Sequence, residues 1–353
     1  MIISHSSMKP LSSGPVYRRQ PSATFARAMI YIFLVAVSST VLLPLCFFTW
    51  WESQPSPTFP APKEEPHLHQ CSSKDNQIDW EFFLASGDFF RYAIAQNRPS
   101  PLKVAESEKH LCSPPKDVSS TWSDCLPINP STDPARCLLA TRTELLKTSP
   151  EFVGKVCMSA ILDMILIDVD EVMHELGCRP LLTFGTALGA FRNGTHIPHT
   201  DDIDLAYVKE DDEDCLDSRF TELLKRRGLY TFKDELIRVC IAPFHPLASN
   251  LYDIHHPQPC GPERSCGYVD IYPLVPYTGN KPYHREGKLY RHAPYDGYRM
   301  SEEQIWPLRS VSINGRKFET FADLEDLLER SYGKDFLHPK GDDEYLRDLG
   351  ILV

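Results

Sequence analysis

Basic charge is what this sequence is short of. The 353 residues include 37 lysines and arginines against 48 aspartates and glutamates, a formal net charge of -11. A protein that neutralises a phosphate backbone needs a basic face, so no nucleic acid is expected among its partners. An anionic substrate must then be met by local cations or by metal ions. The chain also has no CxxC pair, which leaves a structural zinc site only a minor alternative for its cysteines. It has no internal repeat. The 30 prolines cluster locally, and 42% hydrophobic with 24% charged residues is ordinary globular usage that sets aside wholesale disorder.

The longest uncharged run, residues 28–51, is long enough to cross a bilayer at about 1.5 Å per residue. It exceeds the apolar core of a cleaved signal peptide, about 7 to 15 residues, and ends on Trp50 and Trp51 as interfacial anchors. Lys9, Arg18, Arg19 and Arg27 precede it and Glu52 follows it, which places the N-terminus in the cytosol. The expectation is a single-pass type II protein of the Golgi or ER membrane, held through one N-terminal helix. Residues 1–27 form the cytosolic tail, 28–51 the signal anchor and 52–70 a Pro-rich stem. A luminal accessory region follows at 71–150, with no motif that carries chemistry, and then a catalytic domain at 151–353. Of the 11 cysteines, Cys46 lies in the span, which leaves ten in an oxidising lumen where disulfides persist. Cys260 and Cys266 are spaced to close a small loop; the other pairings stay open.

From Met158 the apolar residues recur at three- and four-residue spacing to Leu176, with Asp163, Asp170, Glu171 and His174 largely on the other side. This predicts an amphipathic helix stopped by Gly177. Strands are predicted at residues 181–184, 202–208, 237–241 and 268–274, with a helix at 217–228. A hairpin turns at Asn314-Gly315 and a helix spans 321–332. The fold class is α/β or α+β with a mixed sheet flanked by helices.

The chemistry concentrates in LLTFGTALGAFRNGTHIPHTDDIDLAYV, residues 181–208. A strand running into Gly185-Thr186 and a short helix presents backbone N–H groups where phosphate oxygens are favoured. On the strand at 202–208, residues two apart face one side, so Asp202 and Asp204 point out together while Ile203 and Leu205 enter the core. Such a pair repels itself unless a cation neutralises it. Mg²⁺ or Mn²⁺ prefers oxygen ligands and keeps positions open for substrate phosphates. Asp270 follows in another apolar strand. Arg192, Arg238, Lys281, Arg285 and Lys288 are candidate phosphate contacts, and His196 and His199 lie on the loop entering the site. Asn193-Gly194-Thr195 is a formal glycosylation sequon, expected to stay empty because it falls inside this segment.

The run from Gly185 to Arg192, then Ile197-Pro198 and Asp201-Asp202-Ile203-Asp204, resembles the signature of the LicD/fukutin-related family. The resemblance extends over residues 156–333, including VDIYPL, Trp306-Pro307-Leu308 and LERSYG. It implies a nucleotidyltransferase-like fold, with Asp202, Asp204 and Asp270 as metal carboxylates and catalytic residues, and Gly185, Thr186 and Arg192 binding the donor. The family includes phosphocholine transferases and ribitol-phosphate transferases with CDP-activated donors. The implied reaction is attack by a hydroxyl of a glycan or glycoprotein acceptor on the phosphorus of a nucleotide-diphosphate donor, CDP-linked by preference. The family's text is closer to Trp-Asp before the paired aspartates, where this chain has His199-Thr200. Two rival readings are a DxD glycosyltransferase using a sugar nucleotide and a catalytically silent scaffold for a partner enzyme.

Overall fold

The computed structural model describes residues 68–71, 78–98, 100–113, 121–147, 156–209, 214–254, 260–261, 266–277, 288–294 and 299–339. The apolar run at 28–51 and the Pro-rich stretch at 52–67 lie outside them. Among the described residues no helix is long and apolar enough to cross a membrane.

Nine strands join in one mixed sheet. They are β3 (Leu181–Leu182), β4 (Asp202–Val208), β5 (Leu229–Asp234), β6 (Leu236–Ile241), β7 (Tyr268–Pro276), β8 (Leu289–His292), β9 (Arg299–Ser301), β10 (Arg309–Ile313) and β11 (Arg316–Thr320). The order is β10-β11-β3-β4-β7-β6-β5, with β8 on β7 and β9 on β8. The pairs β4–β7 and β11–β3 are parallel and the rest antiparallel. The short strands β1 (Leu68–Gln70) and β2 (Lys103–Ala105) pair separately. Ile203, Leu205, Val269 and Ile271 are fully buried, so one face of the sheet's centre is apolar. The hairpin β10–β11 turns at Asn314 (φ 52°) and Gly315 (φ 81°), the left-handed pair that a two-residue turn demands.

Among the described residues the α-helices longer than one turn are α1 (Trp80–Ala85), α2 (Phe89–Gln96), α3 (Met158–Glu175), α4 (Phe184–Asn193), α5 (Ser218–Arg226) and α6 (Leu324–Tyr332). The periodicity locates α3 correctly but misassigns its polar side. Fifteen of its 18 residues are buried, Asp163, Asp168 and Asp170 among them, so it has no solvated stripe. The reason is that arginines from other elements reach in. Arg91 on α2 and Arg227 both pair with Asp168 and Glu171, and Arg316 lies 3.0 Å from Glu171. The Phe82 ring on α1 lies under Arg91 at 5.6 Å and Arg227 at 4.9 Å. Removing one member of such a buried network strands the rest, at about 3–5 kcal/mol.

All ten cysteines beyond Cys46 are paired: Cys71–Cys112, Cys125–Cys240, Cys137–Cys157, Cys178–Cys215 and Cys260–Cys266. Cys260 and Cys266 thus close a small loop and are not zinc ligands. Cys125–Cys240 spans 115 residues and ties the segment before α3 to β6. By chain entropy a loop of that size contributes on the order of 4–5 kcal/mol.

Burial pushes the imidazoles of His245 and His292 down to about 4, although nearby Asp168 pulls His245 the other way. In the unfolded chain each protonates near 6.5. Between those values the unfolded state binds more protons, so this contribution to stability falls as pH falls. From pH 7 to pH 5 the His292 share is about 2 kcal/mol. Urea melts of wild type and His292→Phe at the two pH values should differ in pH dependence by that amount. Identical pH dependence would mean that His292 is not buried as a neutral ring.

Candidate active site

The register of β4 against β7 sets Asp204 beside Asp270, and β6 against β7 sets Arg238 beside Asp270. Asp202 lies two residues before Asp204 on the same face. Ligand atoms of Asp202, Asp204 and Asp270 all fall within 4.8 Å of one another. Burial, with repulsion from Asp201 and Asp270, raises Asp202 against the Thr200 hydrogen bond, and burial with repulsion from Asp202 and Asp270 raises Asp204 well above the ordinary carboxylate value. Burial also raises Asp270, against the pull of Arg238 Nε, which donates to Asp270 Oδ1 at 2.7 Å. Of the three carboxylates Asp270 meets a guanidinium, and Arg238 divides its charge between Asp270 and Asp234. A hard divalent cation fits this all-oxygen donor set and offsets the charge that Arg238 leaves over.

The backbone turns sharply to hold the site. Phe184 takes φ 40°, a left-handed conformation costly for an aromatic residue. Its ring packs 5.2 Å from Tyr272 and 4.8 Å from His292, contacts that secure the turn. The turn aims the Gly185 N–H at Asp204 Oδ2, 3.1 Å away, and the Thr186 hydroxyl accepts from the Asp204 N–H at 2.8 Å. Tyr272 donates its hydroxyl to Asp204 Oδ1 at 3.3 Å, and Thr200 donates to Asp202 Oδ1 at 2.8 Å. Gly185 and Thr186, expected to cradle donor phosphate, here orient the central aspartate.

Arg192, expected at the donor, points to the C-terminal segment, where Nε donates to Phe336 O at 2.6 Å and Nη2 to His338 O at 3.1 Å. It lines a cavity of about 230 Å³ with Gly185, Thr200, Tyr332 and Phe336. His199 lines the same cavity, whereas His196 is buried with Nε2 3.5 Å from Asp163 Oδ1. Lys288 lies over the Tyr290 ring; Lys281 and Arg285 fall outside the described residues. Asn193 is exposed at the end of α4, while Thr195 of the sequon is buried.

Sequence reasoning missed three contributors. Tyr272 was legible in principle, being two residues from Asp270 and so on its face. Trp122 was not: its indole lies 5.1 Å from the Arg238 guanidinium and donates to Asp234 Oδ2 at 3.0 Å, across 112 residues of chain. The wall formed by Phe336 and His338 had no local signal either.

Residues 177–321 match the family model described as LicD/FKTN/FKRP, nucleotidyltransferase domain. No curated protein matches the chain. Among solved structures the chain is similar to that of ANT(2")-Ia in complex with adenylyl-2"-tobramycin, at 11% identity and a TM-score of 0.29, covering 53% of this chain and 85% of that one.

Two glycines of α4 separate site from scaffold. A Cβ on Gly185 would sit 3.5 Å from Asp204 Oδ2 and 3.7 Å from Tyr332 Oη, ordinary contacts. One on Gly189 would sit 2.6 Å from the Thr195 carbonyl oxygen. Gly185→Ala should therefore keep or slightly raise the melting temperature, since alanine favours a helix by about 0.5–1 kcal/mol. Gly189→Ala should lose about 1–3 kcal/mol by overpacking. Calorimetry of both variants decides it, and a Gly189→Ala protein as stable as wild type would contradict the described packing of the 195–197 loop.

Proposed function

We propose that this chain is a metal-dependent transferase that moves a phosphate-linked group from a nucleoside-diphosphate donor to a glycan hydroxyl. The observation that carries the reading is the trio of half-buried Asp202 with buried Asp204 and Asp270, brought together by strand register and left net negative beside Arg238. The match of residues 177–321 to a nucleotidyltransferase-domain model supports it. Asp202, Asp204 and Asp270 would hold Mg²⁺ or Mn²⁺, which when bound offsets the charge on a diphosphate and polarises its phosphoryl oxygens.

The protein's own groups do the rest. Gly185 N–H and Tyr272 Oη fix the Asp204 carboxylate, and Thr200 fixes Asp202, so the site is preorganised without a ligand's help. Arg238 holds one oxygen of Asp270 and adds positive charge beside a developing phosphoryl anion. In the transfer the acceptor oxygen bonds to phosphorus as the bond to the leaving nucleoside monophosphate breaks. The hydroxyl proton passes to a carboxylate of the site, Asp270 being the candidate.

Asp202→Asn, Asp204→Asn and Asp270→Asn should each fold, bind Mn²⁺ at least tenfold more weakly, and lose transfer. Combining them should add little, because the three act as one unit. Asp201→Asn, one residue off the facing pair, should lose far less. If the triple-asparagine chain still supported the cellular glycan modification at wild-type level, the site would not be catalytic and a scaffold role would replace this reading.

The same reading places the body in the lumen of the Golgi or ER, anchored through residues 28–51 as a type II protein. The Lys/Arg asymmetry around that run supports it, and so do five disulfides, which persist in oxidising compartments. Protease added to sealed microsomes should spare everything after the span. Digestion of the C-terminal body without detergent would reverse the topology.

A further inference from the structure

Trp122 reaches the acidic trio from outside the nine-stranded sheet. It opens a single helical turn, Trp122–Asp124, capped by Thr121. Two links tie this turn to β6: the Cys125–Cys240 disulfide, and a hydrogen bond from the Leu126 N–H to the Ile241 carbonyl at 2.8 Å. The indole is wedged edge to face against Phe232 and Tyr268, each at 4.9 Å. By strand register Tyr268 and Arg238 lie on the face of the sheet that carries the aspartates.

There the indole meets Arg238. The guanidinium lies 5.1 Å from the ring centroid, and the indole Nε1–H donates to Asp234 Oδ2 at 3.0 Å. The same carboxylate oxygen accepts from Arg238 Nη1, which also donates to the Asp234 carbonyl at 2.8 Å. Both hydrogens of Nη1 are therefore engaged away from Asp270, while Nε donates to Asp270 Oδ1 at 2.7 Å. Among the described residues Nη2 takes no hydrogen bond.

Other arginines of this chain behave differently. Arg91, Arg179 and Arg226 close Nε and Nη2 together on single carboxylates, those of Asp168, Glu319 and Asp79. That fork is the strong form of an arginine–carboxylate pair, and Arg238 does not make it with Asp270. Asp234 holds Nη1 and the indole holds the guanidinium plane, so the fork stays open. Because Nη2 shares an edge with Nε, its free N–H groups lie beside Asp270, placed for an oxygen of a phosphate bound at the trio. A guanidinium released from Asp234 and Trp122 could close the fork and turn Arg238–Asp270 into a structural ion pair.

We infer that Trp122 is a positioning residue of this site: with Asp234 it holds the Arg238 guanidinium so that Nη2 is left for an oxygen of the donor's diphosphate. The segment 121–125 then belongs to the active site, although it carries no reacting group. The inference rests on the proposed function and adds to it a requirement for a residue outside the family-matched span.

The test is a double-mutant cycle on the full-length chain in detergent, read by calorimetric titration with two probes. One is Mn²⁺ alone; the other is whichever of CDP, UDP and GDP binds wild type most tightly with Mn²⁺ present. Arg238→Met should weaken the nucleotide about tenfold or more, the loss of a charge-assisted hydrogen bond. Trp122→Leu should weaken it about fivefold, yet add less than about twofold in the Arg238→Met background, because the two residues act through one group. In that background Trp122→Leu should leave Mn²⁺ affinity unchanged, since the aspartates are untouched. If Trp122→Leu does not fold, Trp122→Phe, which keeps a ring and loses the donor to Asp234, carries the same cycle with an expected loss of about twofold. Wild-type nucleotide affinity in the Trp122 variant, or a loss that persists undiminished beside Arg238→Met, overturns the inference and leaves the proposed function standing. Weaker Mn²⁺ binding on adding Trp122→Leu to Arg238→Met does the same, as the mark of a merely structural role. Failure of every nucleotide to bind wild type overturns both.

Discussion

The organising constraint is the pairing of Asp204 with Asp270 across parallel strands, with Asp202 on the same face, in the middle of a sheet whose opposite face is dry. Burial, and then the like charges so placed, push the pKa values of Asp202 and Asp204 up. The surrounding structure answers with fixed donors: a backbone amide, a phenol, a hydroxyl and one guanidinium. None of these removes the excess negative charge. A site that is built, rigid and still undercompensated stabilises a cation or a positively coordinated ligand more than it stabilises itself, and that asymmetry separates a binding site from a structural salt bridge.

What could be read from sequence was whatever repeats at short range. The Asp-Ile-Asp alternation, the three- and four-residue spacing of α3 and the Asn314-Gly315 turn each encode a local geometry, and all three elements sit where that geometry puts them. The length of β3 was overestimated because Phe184, an apolar residue that reads as strand, takes a left-handed turn that only its packing on Tyr272 and His292 sustains. The strand β5 was missed beside β6, since its buried stretch from Leu229 to Phe232 is short and follows a helix closely. The polar side of α3 was misassigned for a different reason. Acidic residues at helical spacing look solvated unless their partners are known, and Arg91, Arg227 and Arg316 come from three distant parts of the chain.

The same long-range logic governs the site's electrostatics. Asp270 is tempered by Arg238, and Arg238 is in turn positioned by Asp234 and by the indole of Trp122. Trp122 also meets Phe232 and Tyr268 edge to face at 4.9 Å, and Cys125, three residues on, is covalently joined to Cys240 in the strand that carries Arg238. A segment with no motif of its own thus fixes the charge beside one carboxylate of the acidic trio. On the other flank, Arg192 and the segment after α6 fix the cavity wall. The span matched by the family model, 177–321, holds the three aspartates but neither Trp122 nor Phe336. The strands thus hold the three aspartates, while the charge beside Asp270 and the cavity wall are set by the parts of the chain that wrap them, where sequence change leaves the aspartate geometry intact.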